Sequence, residues 1–211
     1  MPQDVALIGF AGAPWTVLSY MIAGQGTPDQ GPAHALMRND PKAFRLLLNR
    51  VTEATILYLD RQIEAGAEAV KIFDSWAATL PDPWFTLASV EPCRQITAAL
   101  KSRWPNVPVI GFPRGVGLRT ERFVRDTGMD GVAIGQDVDP RWARDVLQPL
   151  ATVQGNLDPG LMIEGGAPME RAATDLIGIL GNGPFIFNLG HGITPDADPH
   201  AVERLVALVR G

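Results

Sequence analysis

Six short apolar runs, separated by segments carrying helix start and stop signals, constrain this chain more than any other feature. They occupy residues 5–10, 69–73, 107–112, 131–135, 151–155 and 185–189. Each is continuous and not alternating, which predicts parallel strands buried on both faces. Asp40-Pro41 places a capping carboxylate and an N1 proline ahead of a helix predicted to reach about Ala65, with Gly66 as its stop. Within that helix Leu47, Val51, Ala54 and Tyr58 fall at spacings of four, three and four, predicting one buried stripe. Asp139-Pro140 and Asp198-Pro199 repeat the start signal, Pro168 and Gly181 bracket a further helix, and Gly128 closes the one before the fourth strand. Alternation of strand and helix in this order predicts an α/β fold with a parallel sheet, open or closed into a barrel. In both, ligands gather at the C-terminal ends of the strands.

Composition narrows the class. At 211 residues, 46% hydrophobic and 19% charged, the chain suits a single globular domain over residues 1–211 with a substantial core. No linker or internal repeat divides it. A net charge of −5 argues against a nucleic-acid surface. One cysteine excludes an internal disulfide and a multi-thiolate metal site, and fits a reducing, cytoplasmic setting. No apolar stretch approaches a membrane span, and no basic, apolar leader opens the sequence.

The strand ends hold the polar groups. After the first run come Gly9-Phe10-Ala11-Gly12 and then Trp15, Thr16 and Tyr20; after the second, Asp74-Ser75-Trp76; after the third, Pro113-Arg114-Gly115. The fourth leads to Gln136-Asp137, the fifth to Asn156-Leu157-Asp158-Pro159, and the sixth to Asn188 and a glycine-bracketed His191. Each also has a plain structural reading. Asn156 to Pro159 fits a turn and helix cap, Arg114 a solvated cation, Tyr20 a core ring, Ser75 a cap, His191 a satisfied structural residue. Asp74 and Asp137 can simply hold the rim together, and Trp15, Trp76 and Trp84 can be packing residues.

Other chemistries lack their signatures. The Gly9 turn does not match a dinucleotide fingerprint, and the glycines of 111–117 are not followed by a lysine and hydroxyl. Ser75 lies in no Gly-x-Ser-x-Gly elbow. The three histidines show no i, i+4 spacing, and no His-Cys cluster appears, so no metal site is expected. What remains is a glycine-lined, aromatic-walled mouth with few polar groups, suited to a flat organic ligand.

Several segments together resemble the uroporphyrinogen decarboxylase family. They are Leu7-Ile8-Gly9-Phe10-Ala11-Gly12-Ala13-Pro14-Trp15-Thr16, Ser19-Tyr20-Met21, Phe73-Asp74-Ser75-Trp76-Ala77, Gln154-Gly155-Asn156-Leu157-Asp158-Pro159 and Asn188-Leu189-Gly190-His191-Gly192. They occur in the family's order and at about its spacing, from one end of the chain to the other. The resemblance implies a (β/α)8 TIM-type barrel, usually a cytoplasmic homodimer. It implies decarboxylation of the four acetate side chains of uroporphyrinogen III to give coproporphyrinogen III in haem and tetrapyrrole biosynthesis, with no metal or organic cofactor, no nucleic-acid partner and no membrane. By the same resemblance Tyr20, Ser75 and His191 contact substrate, Phe10 and Phe73 wall the macrocycle cleft, and Arg114 lies where a cation could reach a propionate.

The departures are as informative. The family has an N-terminal arginine-rich substrate loop and a first strand ending in an aspartate that binds the pyrrole N–H groups. This sequence starts a few residues before the Gly9 motif and contains neither, so it reads as an N-terminally truncated barrel with about six visible strands and no assignable catalytic residue. Ala78 stands where the family often has glycine. The leading expectation is therefore a decarboxylase by descent, with little or no turnover by this chain alone. One alternative is a non-catalytic porphyrinogen-binding protein or one completed by a partner chain. Another is a corrinoid-linked methyltransferase of the same superfamily, disfavoured because Cys93 has no His-x-Cys neighbour.

Overall fold

Local sequence chemistry sets the helix boundaries. In the computed structural model, which describes residues 5–211, Asp40 accepts the Ala43 N–H at 2.9 Å and opens the long helix α3, Pro41–Glu64. Asp139 and Asp198 cap Pro140–Trp142 and Pro199–Arg210 in the same way, and Gly128 ends Arg119–Thr127 in the left-handed region, φ 68°. The first four residues of the expected 1–211 domain lie outside the described residues.

The chain divides into two compact units, one ending at Asp130 and the other spanning Gly131–Gly211. In the first, β1 (Ile8–Gly12) is followed by α1 (Pro14–Ala23), α2 (Gly31–Asn39) and α3, then by β2 (Ala69–Asp74). A 3-10 turn and a π-helical turn (Thr86–Val90) lead into α4 (Glu91–Arg103), β3 (Val109–Pro113) and α5 (Arg119–Thr127). The three strands are parallel, with Phe10 opposite Lys71 and Phe73 opposite Phe112. The second unit holds β4 (Gly131–Ala133), α6 (Pro140–Trp142) running into a π-helical turn, β5 (Thr152–Leu157), α7 (Gly160–Glu164), α8 (Gly166–Leu180), β6 (Phe185–Leu189) and α9 (Pro199–Arg210). Its strands are also parallel, with Val153 opposite Val132 and Phe185.

All six expected strands are present, with shifted ends. β1 starts at Ile8 and runs through Gly12, because the Phe10-Ala11-Gly12 backbone pairs with β2 and does not turn. β3 likewise begins two residues later than expected, β5 ends two later, and β4 is shortened to three residues. Burial on both faces holds for β2 to β5 but fails for β1 and β6, in which exposed or half-exposed residues alternate.

The predicted α3 stripe also needs correction. The buried face is Phe44, Leu48, Val51, Thr52, Thr55, Leu59 and Ile63; of the predicted four only Val51 is buried, and Leu47, Ala54 and Tyr58 are exposed. Thr52 and Thr55 tolerate burial because their hydroxyls donate to the Leu48 and Val51 carbonyls, both at 2.8 Å.

Candidate functional site

One buried carboxylate organises the strand ends of the first unit. Asp74 closes β2 and accepts from Thr16 Oγ1 at 2.8 Å and Ser89 Oγ at 2.5 Å, tying α1 and the π-helical turn to the strand. Complete burial pushes its carboxyl up to about 6, against the downward pull of the two hydroxyl donors. Thr16 Oγ1 also accepts the Trp76 N–H at 3.3 Å, and Trp15 Nε1 donates to the Trp76 carbonyl at 3.1 Å. The turn carrying Ser75 is thus latched on either side, with Ser75 half-buried between the latches. Tyr20 follows Thr16 by one helical turn, and its exposed ring lies 6.1 Å from that of Trp76. Tyr20 and Ser75 are therefore held at the same strand ends by one hydrogen-bonded assembly. Trp15 itself is fully buried against His34 and Phe44, as a packing residue.

An aromatic row crosses the three strands. Phe10, Phe73 and Phe112, one from each strand, meet edge to face with centroids 6.0 and 6.2 Å apart. Phe10 is 61% exposed, so this end of the row is open. Lys71 places Nζ 4.8 Å from the Phe73 centroid and 5.3 Å from that of Phe112, and burial lowers its ammonium to about 8. Arg114 follows Phe112 by two residues. It is half-buried, its N–H donates to the Asp74 carbonyl at 3.1 Å, and its guanidinium makes no ion pair among the described residues. Phe112 and Lys71 were not singled out from sequence. The available signal was strand parity: Phe112 precedes Arg114, and Lys71 precedes Phe73, by two residues.

The second unit presents His191. The glycines around it have different roles. A side chain on Gly190 would place its Cβ 2.3 Å from the Gln136 backbone nitrogen and 2.9 Å from the Gly135 carbonyl carbon, while Gly192 has open space around it. What approaches Gly190 is thus the loop after β4. The Gly190 N–H donates to the Leu157 carbonyl at 2.8 Å, fastening the loop after β6 to β5. Asn156 Nδ2 joins the same knot by donating to the Gly135 and Val138 carbonyls, both at 2.8 Å. His191 sits exposed on this support, its Nδ1 3.4 Å from its own Gly192 carbonyl.

In the first unit the hydroxyl donors, a guanidinium and an aromatic wall suit a flat ligand bearing carboxylates, and the second unit by itself presents an exposed imidazole. Among the described residues no three His, Cys, Asp or Glu side chains cluster to hold a metal ion. Cys93 is buried in α4, its thiol pushed well up by burial and by the charge of Asp74. Among the described residues no helix is long and apolar enough to cross a membrane.

A methyltransferase from Methanosarcina mazei superposes with a TM-score of 0.80 at 19% identity, covering 99% of this chain and 59% of that one, a likeness of fold alone. The fold is consistent with a (β/α)8 barrel of which six parallel strands are seen among the described residues. Two proteins named uroporphyrinogen decarboxylase, from Ruegeria pomeroyi and Paracoccus denitrificans, are 54% and 53% identical over 100% of this chain. The chain spans 61% and 62% of their lengths. The family model for uroporphyrinogen decarboxylase (URO-D) matches residues 1–211, and the chain belongs to that family.

Proposed function

We propose that this chain supplies part of the site at which uroporphyrinogen III loses its four acetate carboxyls as CO2, leaving coproporphyrinogen III. The observation that carries the reading is the Asp74-centred latch, which fixes the turn carrying Ser75 and the helix carrying Tyr20 at the end of the strand that contributes Phe73 to the Phe10–Phe73–Phe112 row, in a member of this family. In this reading the rings wall the macrocycle, the Tyr20 and Ser75 hydroxyls and the His191 ring hydrogen-bond carboxylates, and Arg114 takes a propionate.

The chemistry makes modest demands on such residues. Protonation of a pyrrole carbon turns the ring into an electron sink. The bond from the acetate methylene to its carboxylate then breaks, CO2 leaves, and the electron pair flows into the ring. Protonation of the exocyclic carbon gives the methyl group, and loss of the proton first added to the ring carbon restores the pyrrole, so that each acetate takes up one proton net. The protein's part is to orient the macrocycle, hold the spectator carboxylates and deliver protons. No described residue is assigned as the proton donor. The proposal includes a role in haem and tetrapyrrole biosynthesis, a cytoplasmic setting, a homodimer, and chemistry without metal or organic cofactor.

The test is anaerobic turnover of uroporphyrinogen III, with product separation, by this chain alone and by this chain joined to the part of the Ruegeria pomeroyi relative that it does not span. The joined protein is expected to form coproporphyrinogen III, and the chain alone little or none. Tyr20→Phe or Ser75→Ala in the joined protein should cut turnover about tenfold, the scale of one hydrogen bond to a charged group. A well-folded joined protein without product would overturn the assignment. Full activity from the chain alone would refute the need for the additional segment.

A further inference from the structure

Among the described residues the buried charged side chains are Asp74 and Lys71, on opposite faces of β2. Asp74 serves the latch. Lys71 is 8% exposed and lies on the face that carries the aromatic row. Strand register sets its place there. Lys71 stands opposite Phe10 on β1 and Ile110 on β3, and one step further along Phe73 stands opposite Phe112. Ser75 and Arg114 follow beyond the strand ends. The Lys71 side chain runs along the strand to the rings, where Nζ lies 4.8 Å from the Phe73 centroid and 5.3 Å from that of Phe112.

A charge in that position changes what the rings can accept. The face of a phenyl ring carries negative partial charge, so a wall of bare rings disfavours carboxylates brought over it. An ammonium held against two of the rings supplies compensating positive charge. Burial lowers its pKa to about 8, which leaves it mostly protonated at neutral pH. Packing alone does not call for a lysine here. A methionine would fill much the same space without taking an ammonium out of water.

We propose that Lys71 is a specificity-determining residue, whose ammonium behind Phe73 and Phe112 makes the aromatic wall favour macrocycles with many carboxylates over those with few. The proposal rests on the proposed function, in which these rings wall the macrocycle. Lys71 touches the rings and acts on the ligand through them. A phenyl layer excludes water, so a charge behind it is screened less than a surface cation is. Arg114 does a different job. In the proposed function it takes a propionate, and propionates are present in uroporphyrinogen III and coproporphyrinogen III alike. Lys71 responds to the total charge, which falls as each acetate loses its carboxylate. The wall therefore holds the substrate more tightly than the product, which favours product departure.

The test compares anaerobic calorimetric titrations of the chain with uroporphyrinogen III and with coproporphyrinogen III. The unaltered chain is expected to bind the first about tenfold more tightly. Lys71→Met keeps the length of the side chain and removes a buried charge, so it should fold, as thermal melting will check. It should weaken uroporphyrinogen III about tenfold and coproporphyrinogen III no more than about threefold, shrinking the preference. Lys71→Arg keeps the charge and should keep the preference. A merely structural role would weaken both ligands equally in Lys71→Met, and that result would overturn the inference while leaving the proposed function standing. So would an unaltered chain that binds both ligands equally, or a preference lost as fully in Lys71→Arg as in Lys71→Met. Failure of the unaltered chain to bind either macrocycle would remove the proposed substrate contacts and this inference with them.

Discussion

Asp74 shows how one side chain can be structural and still define a site. Its carboxyl lies on the far side of β2 from the aromatic row, yet it fixes the turn that presents Ser75. Burial raises its folded pKa from 3.8 to about 6. Between those values the folded chain holds a proton that the unfolded chain has lost, so this group's contribution to stability falls as pH rises from about 4 to 6 and stays lost above that. Asp74→Asn keeps an acceptor for Thr16 and gains a donor for Ser89. Urea titrations of the two proteins are expected to diverge with rising pH, the variant becoming more stable by about 2–3 kcal/mol at pH 7. A stability difference that stays flat across this window would refute the account of Asp74. Sequence identified the aspartate as a rim residue, but its burial and partners come from elements far apart in the chain.

At the scale of elements, Gly190 and α3 mark where sequence reading succeeds and fails. Sequence shows two glycines around His191 without telling them apart, and the structure does so by bringing the Gly135–Gln136 backbone against Gly190 alone. Gly190→Ala is expected to destabilise the second unit by about 1–3 kcal/mol in a denaturant melt, because the added methyl meets backbone that cannot rotate away. Gly192→Ala, with nothing within 4 Å, should be close to neutral. Equal effects at the two glycines would contradict this division. Strand order and the Asp-Pro helix starts were legible because each is encoded locally. The buried face of α3 was not, since Thr52 and Thr55 hide their polarity in bonds to their own helix while Leu47 and Tyr58 remain uncovered. Phe112 and Lys71 were missed because a site residue inside a strand is marked only by its register with neighbours that sequence cannot align.

At the scale of the molecule, family membership and the extent of the chain have to be read together. The segments carrying the resemblance recur throughout, and the structure turns them into a latch, an aromatic row and a glycine-fastened loop. The chain spans about six-tenths of its relatives, and among the described residues β1 pairs with β2 alone, beside an apolar groove. The proposed function assigns substrate contact to Tyr20 and Ser75, and binding is the property that tests that assignment most directly. The decisive measurement is an anaerobic calorimetric titration of the chain with uroporphyrinogen III. Saturable one-to-one binding is predicted, weakened about tenfold by Ser75→Ala, the loss of one hydrogen bond to a carboxylate. An absence of saturable binding, or affinity unchanged by Ser75→Ala together with Tyr20→Phe, would contradict the account.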